Sequence, residues 1–432
     1  MAYDITVGRD TSDKEKFGNK GLVYLGKGYV KMGNYTSLSN RILMDVARSH
    51  VILIAGKRGS GKSYTLGAIA EELANLPPES AKNIASVIFD TMGIFWTMKY
   101  KNEKDLPLLK EWGLDSKPLN AKVFVPYGKA DEYKQKGIPV DATFALSPSE
   151  LKPEDWLTLF GIEMTSLPGV LIERVASLED KDAGIQDILE AIDADKEASD
   201  ETKSIVRGMF MAAQSWGIFS KDKNGTQIKD LVVPGSTTVL DVSVYSSIGA
   251  CNVRALVINL VSRKLFEQRM TARKQEELDS IREGKSYLSY AKHKDPLVWM
   301  FIDEAHEFLP KNGKTPATDA LIQILREGRQ PGISCVLATQ QPGQIHHDVM
   351  TQSDIVIAHR LTAKQDIEAL NEIMQTYVLD GIKKQIDDLP SLKGSAIVLD
   401  DNSERIYPIR VRPRSTWHGG EAPTAISADF KI

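Results

Sequence analysis

Short, continuous apolar runs recur along the chain, separated by segments with helical periodicity. The runs have the length of strands that are buried on both faces, and they lie at 51–55, 86–90, 237–241, 297–302 and 333–339. After the first run, apolar residues return at helical spacing, at Leu66, Ile69, Ala70 and Leu73. Strands that alternate with helices predict an α/β fold with a largely parallel sheet.

The pattern changes between the second and third runs. Helix-start signals appear there, such as Ser147 to Glu150 and Ser199 to Glu201, and they predict a mostly helical insertion. We therefore divide the chain into an N-terminal β segment, a core in two pieces, the insertion and a β-rich C-terminal tail. These parts span residues 1–45, 46–100 with 233–400, 101–232, and 401–432.

The turn after the first run carries the motif G-x-x-x-x-G-K-[ST], from Gly56 to Ser63. Its glycines allow backbone N–H groups to curl around an oxyanion, and the helix that follows adds a positive dipole end. Lys62 can reach the β- and γ-phosphates, and the Ser63 hydroxyl can bind Mg²⁺. The residues predicted to hold ATP are Gly56, Gly59, Ser60, Gly61, Lys62, Ser63 and Tyr64.

Polar residues follow two later runs. Asp303 and Glu304 come directly after 297–302, where one carboxylate can hold Mg²⁺ and the next can polarise a water molecule. Because side chains alternate along a strand, we expect them on opposite sides of the strand tip. The plainer alternative is a solvated acidic cap. Gln340 follows 333–339 and is a candidate sensor of the γ-phosphate.

Composition is that of an ordinary globular protein. The 432 residues include 42% hydrophobic and 26% charged residues, enough for a large core and two or three domains. The formal charge is 54 − 58 = −4, so any binding to DNA must come from a local basic region. No apolar run has membrane-spanning length and no signal peptide is evident, which predicts a cytoplasmic protein.

Several motifs together resemble the HerA/FtsK superfamily of ring-forming DNA-pumping ATPases, and its HerA branch most closely. They are the phosphate loop, Phe301 to His306, Leu325 to Arg329, Leu337 to Pro342, Ala358 to Leu361, and Arg412 to Arg414 with His418 to Gly420. The resemblance implies a RecA-like P-loop NTPase core, and therefore an α/β fold with a helical insertion and short β-rich ends. It also implies a homohexamer that uses ATP and Mg²⁺.

The resemblance also implies roles for single residues. Lys62 would bind phosphate, Ser63 and Asp303 would hold Mg²⁺, Glu304 would activate water, and Gln340 would sense the γ-phosphate. An arginine would stabilise transition-state charge across the subunit boundary, and the candidates are Arg48, Arg326 and Arg329. A surface ion pair is the alternative for each arginine.

The function expected from this resemblance is ATP-driven translocation on double-stranded DNA, together with a partner nuclease or other effector. A DNA-facing loop is one interpretation of Tyr287 to Lys294, which mixes tyrosines with basic residues; a plain surface loop is the other. Two other functions stay open. One is a ring that assembles and regulates an effector without threading DNA. The other is a secretion or conjugation motor, although the lack of a membrane segment argues against its membrane-anchored forms.

Overall fold

One 13-stranded mixed sheet contains the strands of the described part of the chain. The computed structural model describes residues 3–32, 35–177, 183–220, 225–246, 251–284, 295–373 and 382–421. Helices cover the sheet, and in these ranges none carries an apolar stretch long enough to cross a membrane.

The strands are β1 (Ile5–Val7), β2 (Leu22–Met32), β3 (Tyr35–Asp45), β4 (Val51–Ala55), β5 (Ile84–Asp90), β6 (Ala121–Pro126), β7 (Ala142–Phe144), β8 (Thr237–Asp241), β9 (Leu297–Ile302), β10 (Ile333–Thr339), β11 (Ile355–His359), β12 (Ser395–Asp400) and β13 (Arg405–Val411). The helices are α1 (Thr11–Phe17), α2 (Lys62–Ala74), α3 (Pro78–Ala81), α4 (Leu106–Glu111), α5 (Ala130–Gln135), α6 (Pro153–Phe160), α7 (Leu167–Ala176), α8 (Ile185–Ala194), α9 (Asp200–Ser215), α10 (Ile228–Leu231), α11 (Cys251–Glu283), α12 (Thr318–Glu327), α13 (His347–Gln352), α14 (Lys364–Ile373) and α15 (Ile382–Asp387).

The sheet order is β1-β3-β2-β13-β12-β11-β4-β10-β9-β5-β8-β6-β7. From β11 to β7 along this order the paired strands are parallel, whereas β12, β13 and β2 join by antiparallel pairing. Each of the five apolar runs forms a strand of the parallel part, which confirms the predicted α/β fold. Parallel strands end at the same edge of a sheet, so the segments that follow β4, β9 and β10 meet there.

Two hydrophobic layers lie on the two faces of the sheet, and β4 contributes to both. Leu53 and Ala55 belong to the layer that also contains the insertion helices and, in addition, helices α11 and α12. Ile52 and Ile54 belong to the other layer, which α2 and the N-terminal strands share. Because successive side chains point to opposite faces, a strand covered on both sides must be apolar at every position.

Both terminal segments and the insertion take part in the main sheet. β2 pairs with β3 and with β13, so the N-terminal segment and the tail extend the core sheet together. The insertion is mostly helical, but it also supplies β6 and β7, which continue the sheet beyond β8. Sequence analysis missed β6 because its apolar run, Val123 to Val125, is very short; the domain boundaries themselves stay predictions.

A buried ion-pair network connects α2 to the C-terminal tail. The carboxylate of Glu71, on α2, accepts hydrogen bonds from Arg412 Nη2 at 2.9 Å and Arg414 Nε at 3.1 Å. It also accepts the backbone N–H groups of Ser415 and Thr416. Burial would raise the pKa of Glu71, but the two guanidinium groups outweigh it and lower this pKa. The tail therefore holds the helix that begins at the phosphate loop.

A second buried charge network lies at the amino end of β4. His50 Nδ1 is 2.7 Å from Asp354 Oδ2, and His50 Nε2 is 3.3 Å from Asp45 Oδ2. Arg9 also pairs with Asp45. Burial alone would lower the pKa of His50, but hydrogen bonds to the two carboxylates outweigh it and raise the pKa to about 9. Two carboxylate partners require both ring nitrogens to donate, so the buried imidazole is the charged form.

His50 should make stability depend on pH above neutrality. A raised pKa gives stability that is complete below the unfolded value of 6.5 and is lost as pH rises through about 9. We expect His50→Gln to lower the unfolding free energy by about 3 kcal/mol near pH 6, a difference that shrinks toward about pH 9.5. Urea unfolding at both pH values measures it. His347→Gln, at an exposed position, is the control; a deficit that is the same at both pH values would contradict the charged His50.

Candidate active site

The loop from Gly56 to Gly61 connects β4 to α2 and is hydrogen-bonded to the segments beside it. Gly56 N–H donates to Thr339 O at 3.3 Å, and Lys57 N–H donates to Arg360 O at 3.0 Å. Gly61 has φ 112°, a conformation that side chains disfavour. A Cβ placed on Gly56 would lie 2.5 Å from the Ser60 hydroxyl oxygen, so the loop has no room for a side chain there. This confirms the predicted strand, glycine-rich turn and helix.

Lys62 is the first residue of α2, and its side chain folds back against this loop. Its side chain is buried, and Nζ donates a hydrogen bond to Lys57 O at 3.2 Å. Burial lowers the pKa of Lys62, while the charges of Glu304 and Asp303 oppose that shift. The ammonium group therefore lies within electrostatic reach of both carboxylates. A phosphate would enter a site that already carries one positive charge and several loop N–H groups.

Asp303 lies directly after β9 and reaches the start of α2. Its carboxylate accepts the backbone N–H of Glu304 at 2.9 Å and lies beside the Ser63 side chain. Only 1% of the residue is exposed, and burial raises its pKa although Ser63 and Lys62 oppose the rise. A serine hydroxyl beside a buried carboxylate is a donor set that suits Mg²⁺, a cation that prefers oxygen ligands.

Glu304 does not follow the alternation that we expected. β9 ends at Ile302, and Glu304 takes a left-handed conformation with φ 51°, so the strand pattern no longer decides where its side chain points. Lys62 interacts electrostatically with Asp303 and with Glu304, which places both carboxylates around one ammonium group. The reason given for opposite sides therefore does not hold, because a backbone turn intervenes between strand and carboxylate. A non-glycine residue in this conformation is strained, and such strain is common at functional sites.

The surroundings of the Glu304 carboxylate favour its protonated form. Burial raises its pKa to about 7, the charge of Asp303 adds to the rise, and Lys62 opposes it. Its Oε2 atom is buried and has no hydrogen-bond partner among the described residues. The nearest ion-pair partner, His306 Nδ1, lies 3.6 Å away. A buried acceptor without a partner can bind an ordered water molecule.

The other predicted residues have different surroundings. Gln340 directly follows β10 and is half-buried at the same edge of the sheet. The Tyr64 hydroxyl accepts the backbone N–H of Arg414 at 2.6 Å, so this tyrosine connects α2 to the tail. The three arginine candidates are described separately below. The stretch from Tyr287 to Lys294 lies outside the described residues.

The arginine candidates lie outside the cluster of Lys62 and the two carboxylates. Arg326, on α12, pairs with Asp348 at 2.8 Å, and Arg329, beyond the end of that helix, is exposed. Arg48 donates two hydrogen bonds to Asp13, at 2.9 and 2.8 Å. Arg48 precedes β4, whereas the phosphate loop follows it, so the length of the strand, about 15 Å, separates them.

Sequence analysis missed two histidines that the fold brings to the site. His306 Nδ1 is 3.2 Å from Thr339 Oγ1, which links the segments after β9 and β10. His359, the last residue of β11, is fully buried and contacts Thr65. Both histidines lie within motifs that carry the resemblance. The signal that could have found His359 is its place as a polar residue at the end of an apolar run, whereas nothing local distinguished His306.

The strand order around β4, the phosphate loop and the two carboxylates after β9 define a RecA-like P-loop NTPase. The family model described as "Helicase HerA, central domain" matches residues 30–264, and the chain belongs to this family. A second model, "Zonular occludens toxin (Zot)", matches residues 248–378.

Curated relatives are similar over parts of the chain. The probable DNA double-strand break repair helicase HerA of Methanocaldococcus jannaschii is 32% identical over 103 residues, 24% of this chain and 20% of the relative. The DNA double-strand break repair helicase HerA of Pyrococcus furiosus is 26% identical over 178 residues, 37% of this chain and 30% of the relative. The similarity therefore spans less than a third of either relative's length.

A solved structure shares the fold over most of the chain. VirB4 of Thermoanaerobacter pseudethanolicus superposes with a TM-score of 0.55, covering 92% of this chain and 97% of that one. Sequence identity is 12%, so the likeness concerns the fold alone. It agrees with the assignment of the chain to the P-loop ATPases.

Proposed function

We propose that this protein is an ATP-hydrolysing DNA translocase of the helicase type that works as a homohexameric ring. The ATPase part rests chiefly on one observation, the buried group of Lys62, Asp303 and Glu304 beside the phosphate loop. Burial disfavours each of these charges, and ionisable groups with shifted pKa values cluster at functional sites, here directly beside a phosphate loop. The DNA part rests on membership of the HerA family and on the printed names of the relatives.

The site residues fit ATP with Mg²⁺. Lys62 and the loop N–H groups would hold the phosphates. Ser63 and Asp303, whose side chains lie beside each other, would hold Mg²⁺. When bound, the metal neutralises charge on the phosphate oxygens. Glu304 would orient and deprotonate a water molecule, with Gln340 close to the γ-phosphate.

Glu304 and Lys62 should separate hydrolysis from binding. Glu304→Gln is expected to bind ATP with Mg²⁺ and to lose nearly all turnover, because an amide cannot accept the proton of the attacking water. Lys62→Ala should lose binding and turnover together, because the phosphates lose their cation. Equilibrium binding of a fluorescent ATP analogue and phosphate release measure the two effects. Glu132→Gln, in an exposed ion pair, is the control; near-normal hydrolysis by Glu304→Gln would contradict the assigned base.

An arginine from a neighbouring subunit would complete the site. Lys62 and, at Glu304, Arg58 of the loop supply positive charge near the two carboxylates, and phosphoryl transfer benefits from a further positive charge in the transition state. Arg329 is the most accessible candidate because it is exposed, while Arg326 pairs with Asp348 and Arg48 pairs with Asp13. Arg326 and Arg48 would have to exchange these partners for the phosphate of a neighbour.

Mixed rings should reveal an arginine that acts in trans. An Arg329→Ala chain and a Glu304→Gln chain are each expected to be nearly inactive alone. Some boundaries in a mixed ring would combine an intact Glu304 with an intact Arg329 from the neighbour, so ATPase activity should return. Native mass spectrometry confirms mixing. Rings that mix but regain no activity, with Arg329, Arg326 or Arg48, would indicate a site contained in one chain.

Duplex DNA should stimulate hydrolysis if the ring is a motor. At net charge −4 the protein must concentrate its DNA contacts, and Lys292 and Lys294 are the sequence-based candidates. Changing both to alanine should weaken binding to all sequences alike and reduce the salt dependence of binding, because fewer counterions are released. DNA-dependent ATPase rates and fluorescence anisotropy at several salt concentrations measure both effects. The exposed Lys134 and Lys136, changed together, serve as the control.

The main alternative is a ring that assembles and regulates an effector without threading DNA. ATPase activity that is indifferent to duplex DNA but altered by a co-purified protein would favour this scaffold. In either case we propose a cytoplasmic protein with a partner nuclease or other effector. Co-purification of the native protein identifies that partner.

A further inference from the structure

His359 lies against the inner side of the phosphate loop, between its first and last glycines. The residue is fully buried at the end of β11. A Cβ placed on Gly56 would lie 2.7 Å from His359 Cβ, and one placed on Gly61 would lie 3.7 Å from His359 Cε1. The buried side chain therefore lies beside both ends of the loop, with its Cβ next to Gly56 and its ring next to Gly61.

The hydrogen bonds of His359 determine its protonation. Nδ1 is 3.0 Å from Ser395 O, a carbonyl that can only accept, so Nδ1 carries the hydrogen. Burial, with a further contribution from Lys62, lowers the pKa of His359 to about 4. The ring is therefore neutral at neutral pH, and Nε2 is an acceptor. The hydroxyl of Thr65, 2.9 Å away, donates to it.

Thr65 brings this contact into the first turn of α2. Its side chain is completely buried, and its backbone N–H donates to Gly61 O at 2.9 Å. The N–H groups before it, in the loop and at the helix start, have no partner within the helix and are the groups that would face a phosphate. The orientation of this turn is thus fixed by a hydrogen bond from Thr65 to a residue on β11.

Ser395 anchors the other side of the histidine. It begins β12, and its hydroxyl is 2.8 Å from the hydroxyl of Tyr29 on β2. The chain of hydrogen bonds from Thr65 through His359 to Ser395 therefore connects the phosphate loop to the antiparallel strands at that side of the sheet. The first turn of α2 is thus tied to strands outside the parallel part of the sheet.

We propose that His359 is a positioning residue for nucleotide binding, which through Thr65 holds the phosphate loop and the first turn of α2 in the conformation that accepts phosphates. This inference rests on the proposed ATPase function and assigns a role to a residue outside the catalytic set. The histidine does not touch the nucleotide. It sets the direction of the N–H groups that do, so its loss should weaken nucleotide affinity more than it weakens the fold.

Two substitutions distinguish the two ring nitrogens. The amide of asparagine ends near the position of Nδ1, so His359→Asn keeps a donor for Ser395 O and removes the acceptor for Thr65. The longer glutamine reaches the position of Nε2, so His359→Gln keeps that acceptor. On the other side of the bond, Thr65→Val removes the hydroxyl with little change in shape, and Thr65→Ser keeps it.

Nucleotide affinity of the full chain is the measurement. Titrations with a fluorescent ADP analogue and with an ATP analogue should give about tenfold weaker binding for His359→Asn and Thr65→Val, the effect of one well-placed hydrogen bond. His359→Gln and Thr65→Ser should stay within about threefold of the unmodified protein. The double variant His359→Asn with Thr65→Val should bind no more weakly than either single variant, because both remove the same bond.

Melting temperatures and circular dichroism, recorded for each variant, separate positioning from stability. His50→Gln is the matched control, since it removes a fully buried histidine at the other end of β4 and should lower stability without changing affinity. Unchanged nucleotide affinity in folded His359→Asn and Thr65→Val would overturn the inference about His359 but not the proposed ATPase. Additive losses of affinity in the double variant would do the same. If His359→Asn does not fold, the comparison of Thr65→Val with Thr65→Ser decides. Failure of the unmodified chain to bind either nucleotide would instead overturn the proposed ATPase, and this inference with it.

Discussion

The hydrogen-bonded register of the parallel strands is the constraint on which the rest of the site depends. Ala55, the last residue of β4, is level with Thr339 on β10 and with Ala358 on β11. Ile302, the last residue of β9, is level with Leu337, two residues before β10 ends. Segments that are far apart in sequence therefore leave the sheet together. A one-residue slip of β9 would exchange its two buried faces and carry the carboxylates out of reach of Lys62.

Around that edge, burial and charge act against each other. Burial lowers the pKa of Lys62 and raises those of Asp303 and Glu304, while the opposite charges partly restore each of them. The three groups are consequently interdependent, and the loss of one changes the ionisation of the others. Entry of a phosphate and Mg²⁺ would alter this balance most at Glu304, whose pKa of about 7 lies close to neutrality.

The two ends of the chain support the same loop from different sides. The tail crosses α2, and its two arginines neutralise the buried carboxylate of Glu71. The N-terminal strand β2 lies beside β13 and, through Tyr29, contacts Ser395. Removing one partner of a buried ion pair, such as the one that the tail forms with Glu71, costs about 3–5 kcal/mol of stability. The contacts of the tail are therefore strong enough to hold α2 in place. Elements from both ends of the chain therefore contact the helix and strands beside the loop, and the proposed role of His359 depends on these contacts.

The sequence by itself determined the α/β class, five core strands, the phosphate loop and the carboxylates after β9, because these features depend on local periodicity and on short motifs. It did not reveal β6, the left-handed turn at Glu304 or the role of His359. The bond between Thr65 and His359 joins residues 294 positions apart. Only the tertiary structure decides such contacts, because they depend on which strands become neighbours, and the order of strands in a sheet is not the order along the chain.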